Sequence, residues 1–85
     1  MWFCYILECS DGTLYTGITT DIDKRVSTHN KGKGAKYTKT RLPVVLKWST
    51  QCDNKSEASK LEWKIKQLPR SKKLILFSEG NISFT

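Results

Sequence analysis

The chain is short of the residues that punctuate, staple or anchor a small protein. It holds two prolines, five glycines, one histidine and three cysteines in 85 residues. Cys4, Cys9 and Cys52 include no C-x-x-C pair, and an odd set can complete neither a disulfide framework nor a four-ligand zinc site within one chain. Free thiols suit a reducing compartment, so a cytoplasmic location is the expectation. Nowhere do about 18 apolar residues follow one another, which excludes a membrane-spanning helix and leaves no membrane partner to expect. Met1 leads straight into a strand-like run, without the charged segment and apolar stretch of an export signal. Acids are scarce as well: 8 Asp and Glu face 15 Lys and Arg, for a formal charge of +7.

That surplus draws polyanions, of which nucleic acid is the commonest in the cytosol. It is also clustered. Lys31, Lys33, Lys36, Lys39 and Arg41 fall in one stretch with no acid between them, a candidate nucleic-acid-binding surface. A chain this short buries only about 60–65% of the surface its unfolded form exposes. Three each of Trp, Tyr and Phe, within an apolar fraction of 38%, nonetheless make a core credible without covalent staples. With no repeat or linker, the expected organisation is one domain over residues 1–85, its core about 2–77 and a tail 78–85.

Two β-prone, aromatic-rich runs, Trp2 to Cys9 and Thr13 to Thr19, flank the turn residues Ser10-Asp11-Gly12 and read as a β-hairpin. Asp21 to Asn30 has helical spacing, capped by Thr20 or Asp21, and the Gly and Lys residues beyond it read as a helix stop and a loop. Val44 to Trp48, after Pro43, is a third strand. Ser56 can cap a second helix with Ala58, Leu61, Ile65 and Leu68 on one face, ended by Pro69. Ser71 can cap a last, shorter helix carrying Leu74, Ile75 and Phe77. The fold class is therefore α+β, and residues 80–85 are too poor in apolar side chains to place.

The first helix carries a contradiction. At about 100° per residue, Arg25 and His29 fall within roughly the same 100° arc as Ile22 and Val26, so titratable groups share the core-facing side. A cation there must snorkel, pair or line a cleft. In the hairpin, a two-residue turn places Tyr5 and Tyr15 on opposite sheet faces. A three-residue turn, with Gly12 left-handed, pairs Tyr5 with Gly17 and Leu7 with Tyr15, so both rings share one face. Gly17 would then leave open space beside the Tyr5 ring, room for a ligand. On the second long helix, Glu62 lies at the rim of the apolar stripe, where it can pair with Arg25 or hold a hard divalent cation.

Taken together, Phe3-Cys4-Tyr5, Tyr15-Thr16-Gly17, Arg25 and His29 four apart, and Glu62 within Lys60 to Lys66 resemble the GIY-YIG nuclease domain. Gly34-Ala35-Lys36-Tyr37-Thr38 and Arg41-Leu42-Pro43 are similar to its short, standalone YhbQ-type bacterial branch. The resemblance spans roughly Trp2 to Leu76. Phe3-Cys4 stands where the family has Gly-Ile, and Thr16 where it has Ile; both tyrosines are kept. The resemblance implies a three-stranded antiparallel sheet flanked by helices and Mg²⁺ (or Mn²⁺)-dependent phosphodiester cleavage. It makes Tyr5, Tyr15, Arg25, His29 and Glu62 the catalytic set. Glu62 would be the metal ligand and Tyr5, with Tyr15 as the alternative, the group that activates water. The remaining tyrosine would position the phosphate, Arg25 would stabilise its charge and His29 would assist proton transfer. The implied partner is nucleic acid, DNA ahead of RNA, with no obligate protein partner. The implied activity is a DNA endonuclease of low sequence specificity acting on structured or damaged DNA, as in DNA repair. The alternatives are a binding module with weak or lost cleavage, and an interaction domain using Trp48 or Trp63.

Overall fold

A computed structural model of the protein describes residues 1–79. In chain order its elements are β1 (Trp2–Glu8), β2 (Leu14–Thr19), α1 (Ile22–Asn30), α2 (Lys36–Lys39), β3 (Val45–Cys52), α3 (Lys55–Gln67) and α4 (Arg70–Glu79). The strands form one antiparallel sheet in the order β2-β1-β3, so β1 is central and β2 is an edge. Residues 80–85, left unplaced by the sequence reading, lie outside the described residues.

The hairpin adopts the three-residue turn. Cys9 N–H donates to Thr13 C=O at 2.8 Å, Gly12 N–H donates to Cys9 C=O at 2.9 Å, and Gly12 has φ +84°. That left-handed angle strains any residue with a Cβ. Asp11 accepts from both the backbone and the hydroxyl of Thr13, and the turn is clamped from outside by Arg41 on Asp11 and by Arg70 on the Gly12 carbonyl. The register that follows pairs Tyr5 with Gly17 and Leu7 with Tyr15.

Because side chains alternate along a strand, the two faces of β1 feed two cores. Cys4 and Ile6 pack with Cys52, Ala58, Ile65 and Leu76 beneath α3 and α4, whereas Tyr5, Leu7 and Cys9 pack with Val44 on the face covered by α1. Burial pushes the Cys4 thiol up to about 12, consistent with a small buried hydrophobe that stays protonated.

Several boundaries differ from the sequence reading. β3 runs to Cys52 instead of ending at Trp48, because it pairs along all of β1, from Glu8↔Val45 to Trp2↔Cys52; Ser49-Thr50-Gln51 is a weak strand signal by itself. The cap of α3 is Asn54, whose side chain accepts from Glu57 N–H, and the helix starts one residue later, ahead of Ser56. α4 starts at Arg70, directly after Pro69, ahead of Ser71. The stretch read as a loop contains the short helix α2, whose backbone is supported by the Thr38 hydroxyl on the Ala35 carbonyl. At the first helix Asp21 is the cap, accepting from Lys24 N–H at 3.1 Å.

Candidate active site

The absent side chain at Gly17 organises the site. A Cβ there would lie 2.6 Å from Tyr5 Oη and 2.8 Å from Cζ, so the Tyr5 ring rests directly on the Gly17 backbone. The expected open space beside the ring is therefore taken by the ring itself. Lying across an edge strand, Tyr5 carries its hydroxyl toward the border of the sheet.

There α1 supplies the two residues that its i, i+4 spacing predicts. Arg25 Nε donates to Tyr5 Oη at 3.4 Å, and Tyr5 Oη lies 3.1 Å from His29 Nε2. On its other side His29 Nδ1 is 2.8 Å from Thr38 Oγ1, and Thr38 Oγ1 donates to Ala35 C=O at 3.0 Å. Tyr15 meets the His29 ring edge to face at 5.3 Å and stacks on Tyr37 at 6.1 Å.

Counting protons assigns the network. With the His29 proton on Nδ1, Arg25 donates to Tyr5, Tyr5 to Nε2, Nδ1 to Thr38 and Thr38 to Ala35; each donor has one acceptor. With the proton on Nε2, Tyr5 Oη would receive two donors and its own buried O–H would lose its acceptor, costing about 1–3 kcal/mol. Nδ1–H is the favoured tautomer.

Tyr5, His29 and Thr38 are 1%, 0% and 0% exposed and form a floor, with the half-buried Tyr15 and Arg25 at its rim; Glu62 is half-buried as well. Burial raises the pKa of Tyr5, and Glu62, which comes from α3 on the opposite sheet face, adds a lesser rise. The Arg25 hydrogen bond and charge oppose that rise. The sequence left Glu62 a choice between Arg25 and a cation. It makes no ion pair with Arg25; its carboxylate sits 3.4 Å from the exposed Lys66 Nζ in an i, i+4 pair. Among the described residues no three His, Cys, Asp or Glu side chains cluster. A single half-buried carboxylate held by a displaceable lysine fits a hard cation that keeps most of its waters and draws further oxygens from a phosphate.

The basic stretch spreads outward from this floor. Lys31, Lys33, Lys36 and Lys39 are exposed, whereas Arg41 is pinned: its Nε is 3.1 Å from Asp11 and its guanidinium lies 4.0 Å over the Tyr37 ring. Of the two indoles considered as interaction surfaces, Trp63 is exposed and Trp48 packs against the core. Thr38 entered the sequence reading only within the Gly34 to Thr38 segment, without a role of its own. The nearest signal was Gly34, where a Cβ would run into His29 Nδ1.

His29 has its pKa lowered from 6.5, first by burial and then by Arg25. Between the folded value and the unfolded one of about 6.5, the unfolded chain binds the proton and the folded chain does not. The stability this group contributes is thus complete above about pH 6.5 and is lost as pH falls below it. Asp11, lowered from 3.8 chiefly by the Thr13 hydroxyl, acts only in more acidic solution. Melting temperatures should therefore decline as pH falls below about 6.5, and a curve flat through the acidic side of that point would show that His29 is not held neutral.

A hairpin with two tyrosines, a helix with Arg and His four apart, a further helix bearing a half-buried carboxylate, and a three-stranded antiparallel sheet define an α+β domain of GIY-YIG type. A family model for the GIY-YIG catalytic domain matches residues 1–74, and the chain belongs to that family. It is 60% identical over 82 residues to the UPF0213 protein YsiG of Lactococcus lactis, covering 95% of this chain and 79% of that one. A UPF0213 protein of Halobacterium salinarum is 54% identical over 77 residues, 91% of this chain and 100% of that one. The solution NMR structure of a UPF0213 protein from Bacillus halodurans is similar with TM-score 0.58 and 48% identity, over 92% of this chain and 84% of that one. A second NMR structure, from E. faecalis, gives 0.60 and 36%, over 95% and 90%. Membership implies phosphodiester hydrolysis of nucleic acid, generally with a divalent metal ion. No helix among the described residues is long and apolar enough to cross a membrane.

Proposed function

We propose that this chain is a divalent-metal-dependent endonuclease of low sequence specificity, acting on structured or damaged DNA, with Tyr5, Tyr15, Arg25, His29 and Glu62 as its catalytic groups. One observation carries the reading. Arg25 is half-buried and makes no ion pair among the described residues; its Nε is committed to Tyr5, which leaves its two terminal nitrogens available to a ligand. A cation kept in that state awaits an anion, and the bidentate fork matches two phosphoryl oxygens.

Glu62 would hold Mg²⁺ or Mn²⁺, which when bound supplies charge neutralisation at the phosphate. The protein's own part is proton handling and positioning. Because its pKa is raised, Tyr5 does not act as a standing phenolate. Instead water gives a proton to Tyr5 Oη as Tyr5 passes its own to His29 Nε2, and the water oxygen bonds to phosphorus. The P–O bond to the leaving strand breaks, and the departing oxygen is protonated by solvent at the rim. Arg25 stabilises the charge gathering on the phosphoryl oxygens, and Tyr15 positions the phosphate. Lys31, Lys33, Lys36, Lys39 and Arg41 supply phosphate contacts, which carry affinity without sequence information.

Purified protein should cleave nicked or branched DNA in Mg²⁺ or Mn²⁺ and not in chelator. DNA affinity should fall on the order of tenfold or more over a few-fold rise in salt. Salt-dependent binding without cleavage of any DNA or RNA, in any divalent ion, would favour the binding-module reading instead. That reading has one observation behind it, the nearly complete burial of Tyr5.

A further inference from the structure

Within the segment Gly34 to Thr38 only Lys36 has a part in the function above, yet the segment builds the far wall of the His29 pocket. Gly34 lies flat against the imidazole, where any side chain would collide with Nδ1. Four residues on, Thr38 is fully buried and bonded to that same nitrogen at 2.8 Å. Its one hydroxyl proton is directed to the Ala35 carbonyl, at the start of the short helix α2. A hydroxyl that has given its proton away can only accept from the ring.

We propose that Thr38 is a positioning residue: held by Ala35 and seated with Gly34 around the imidazole, it fixes His29 as the Nδ1–H tautomer and so leaves Nε2 to receive the Tyr5 proton. The pocket thereby does with a neutral hydroxyl what other sites do with a carboxylate, orienting the ring without adding negative charge behind it. When His29 takes up the Tyr5 proton at Nε2, its Nδ1–H bond to Thr38 is retained, so the relay proceeds with no rearrangement on that side. This step rests on the proposed role of Tyr5, but the tautomer itself does not.

Two arms separate those claims. In the first, long-range proton–nitrogen NMR of the metal-free protein reads the two His29 nitrogens without any turnover. Wild type and Thr38→Ser should both show a protonated Nδ1, and Thr38→Val, which keeps the shape and loses the acceptor, should show the other tautomer or a mixture. In the second, cleavage kinetics should show kcat lowered on the order of tenfold to a hundredfold in Thr38→Val with KM little changed, and restored to within a few-fold of wild type by Thr38→Ser. A protonated Nε2 in the wild type overturns the proposal whether or not any variant folds. So does a Thr38→Val protein with unaltered tautomer and unaltered kcat. Nδ1–H in wild type, its loss in Thr38→Val and absence of cleavage throughout would uphold the tautomer assignment and remove the nuclease reading alone.

Discussion

Glu62→Ala is expected to lower single-turnover cleavage on the order of a thousandfold, with the melting temperature almost unchanged. The first half follows from the role proposed for the carboxylate. It is the carboxylate proposed to hold the cation, and charge stabilisation by a bound metal is worth several kcal/mol, each 1.36 of which is about tenfold in rate. The second half follows from what Glu62 touches in the free protein. Its ion pair with Lys66 is a partly exposed contact between neighbouring turns of one helix, a type that contributes about 0.3–0.5 kcal/mol. Had Glu62 paired with the half-buried Arg25, the same substitution would strip a buried cation of its partner, and stability would drop with activity. A combined rate and melting measurement therefore separates a metal ligand from a structural acid. Cleavage within threefold of wild type would remove Glu62 from the chemistry. DNA affinity measured in chelator should stay within a few-fold, since the phosphate contacts assigned to the lysines are elsewhere.

How far this site could be read from residues alone depended on the length scale of each signal. Arg25 and His29 were legible because four residues on a helix is one turn, and the wheel puts them beside Ile22 and Val26 whatever the tertiary fold. The tyrosine pair was legible only as two alternatives, since the choice between turns hangs on the backbone of Gly12, and its φ of +84° is a structural fact. The strand pairing then set everything downstream: one residue of slip would have turned Tyr15 away from His29. The role of Thr38 was hidden for a different reason. A threonine among lysines in a short polar stretch matches a solvated loop, and only the return of that stretch against α1 makes its hydroxyl a buried partner. The length of β3 was hidden in the same way, because Ser49, Thr50 and Gln51 become a strand through β1 and not through their own propensity. Gly17 gave the instructive miss. The sequence showed that a side chain was wanting there, but not that the neighbouring ring had already filled the place.

That miss leads to the sharpest test of the hairpin's role. Gly17→Ala adds one methyl group at a point 2.6 Å from Tyr5 Oη, far inside contact distance, so the Tyr5 ring must tilt away from the strand. Overpacking of this kind costs about 1–3 kcal/mol, and the melting temperature should fall accordingly. The larger effect is on chemistry. Moving the hydroxyl off its line between Arg25 Nε and His29 Nε2 should lower kcat on the order of a hundredfold or more, because displacements of about 1 Å at a reacting group cost that much. Tyr5→Phe supplies the matched control: it removes the hydroxyl, leaves Gly17 alone and should lower kcat by at least as much. If both changes act through one oxygen atom, they cannot add. The double variant should be no slower than Tyr5→Phe by more than a few-fold, although its stability should still show the cost of the added methyl. A double variant slower than Tyr5→Phe by the full factor seen for Gly17→Ala alone would mean that the glycine serves something other than the Tyr5 hydroxyl. The edge of β2 itself, where a substrate backbone could approach an open strand, would then take the place of Tyr5 as the reason for the glycine.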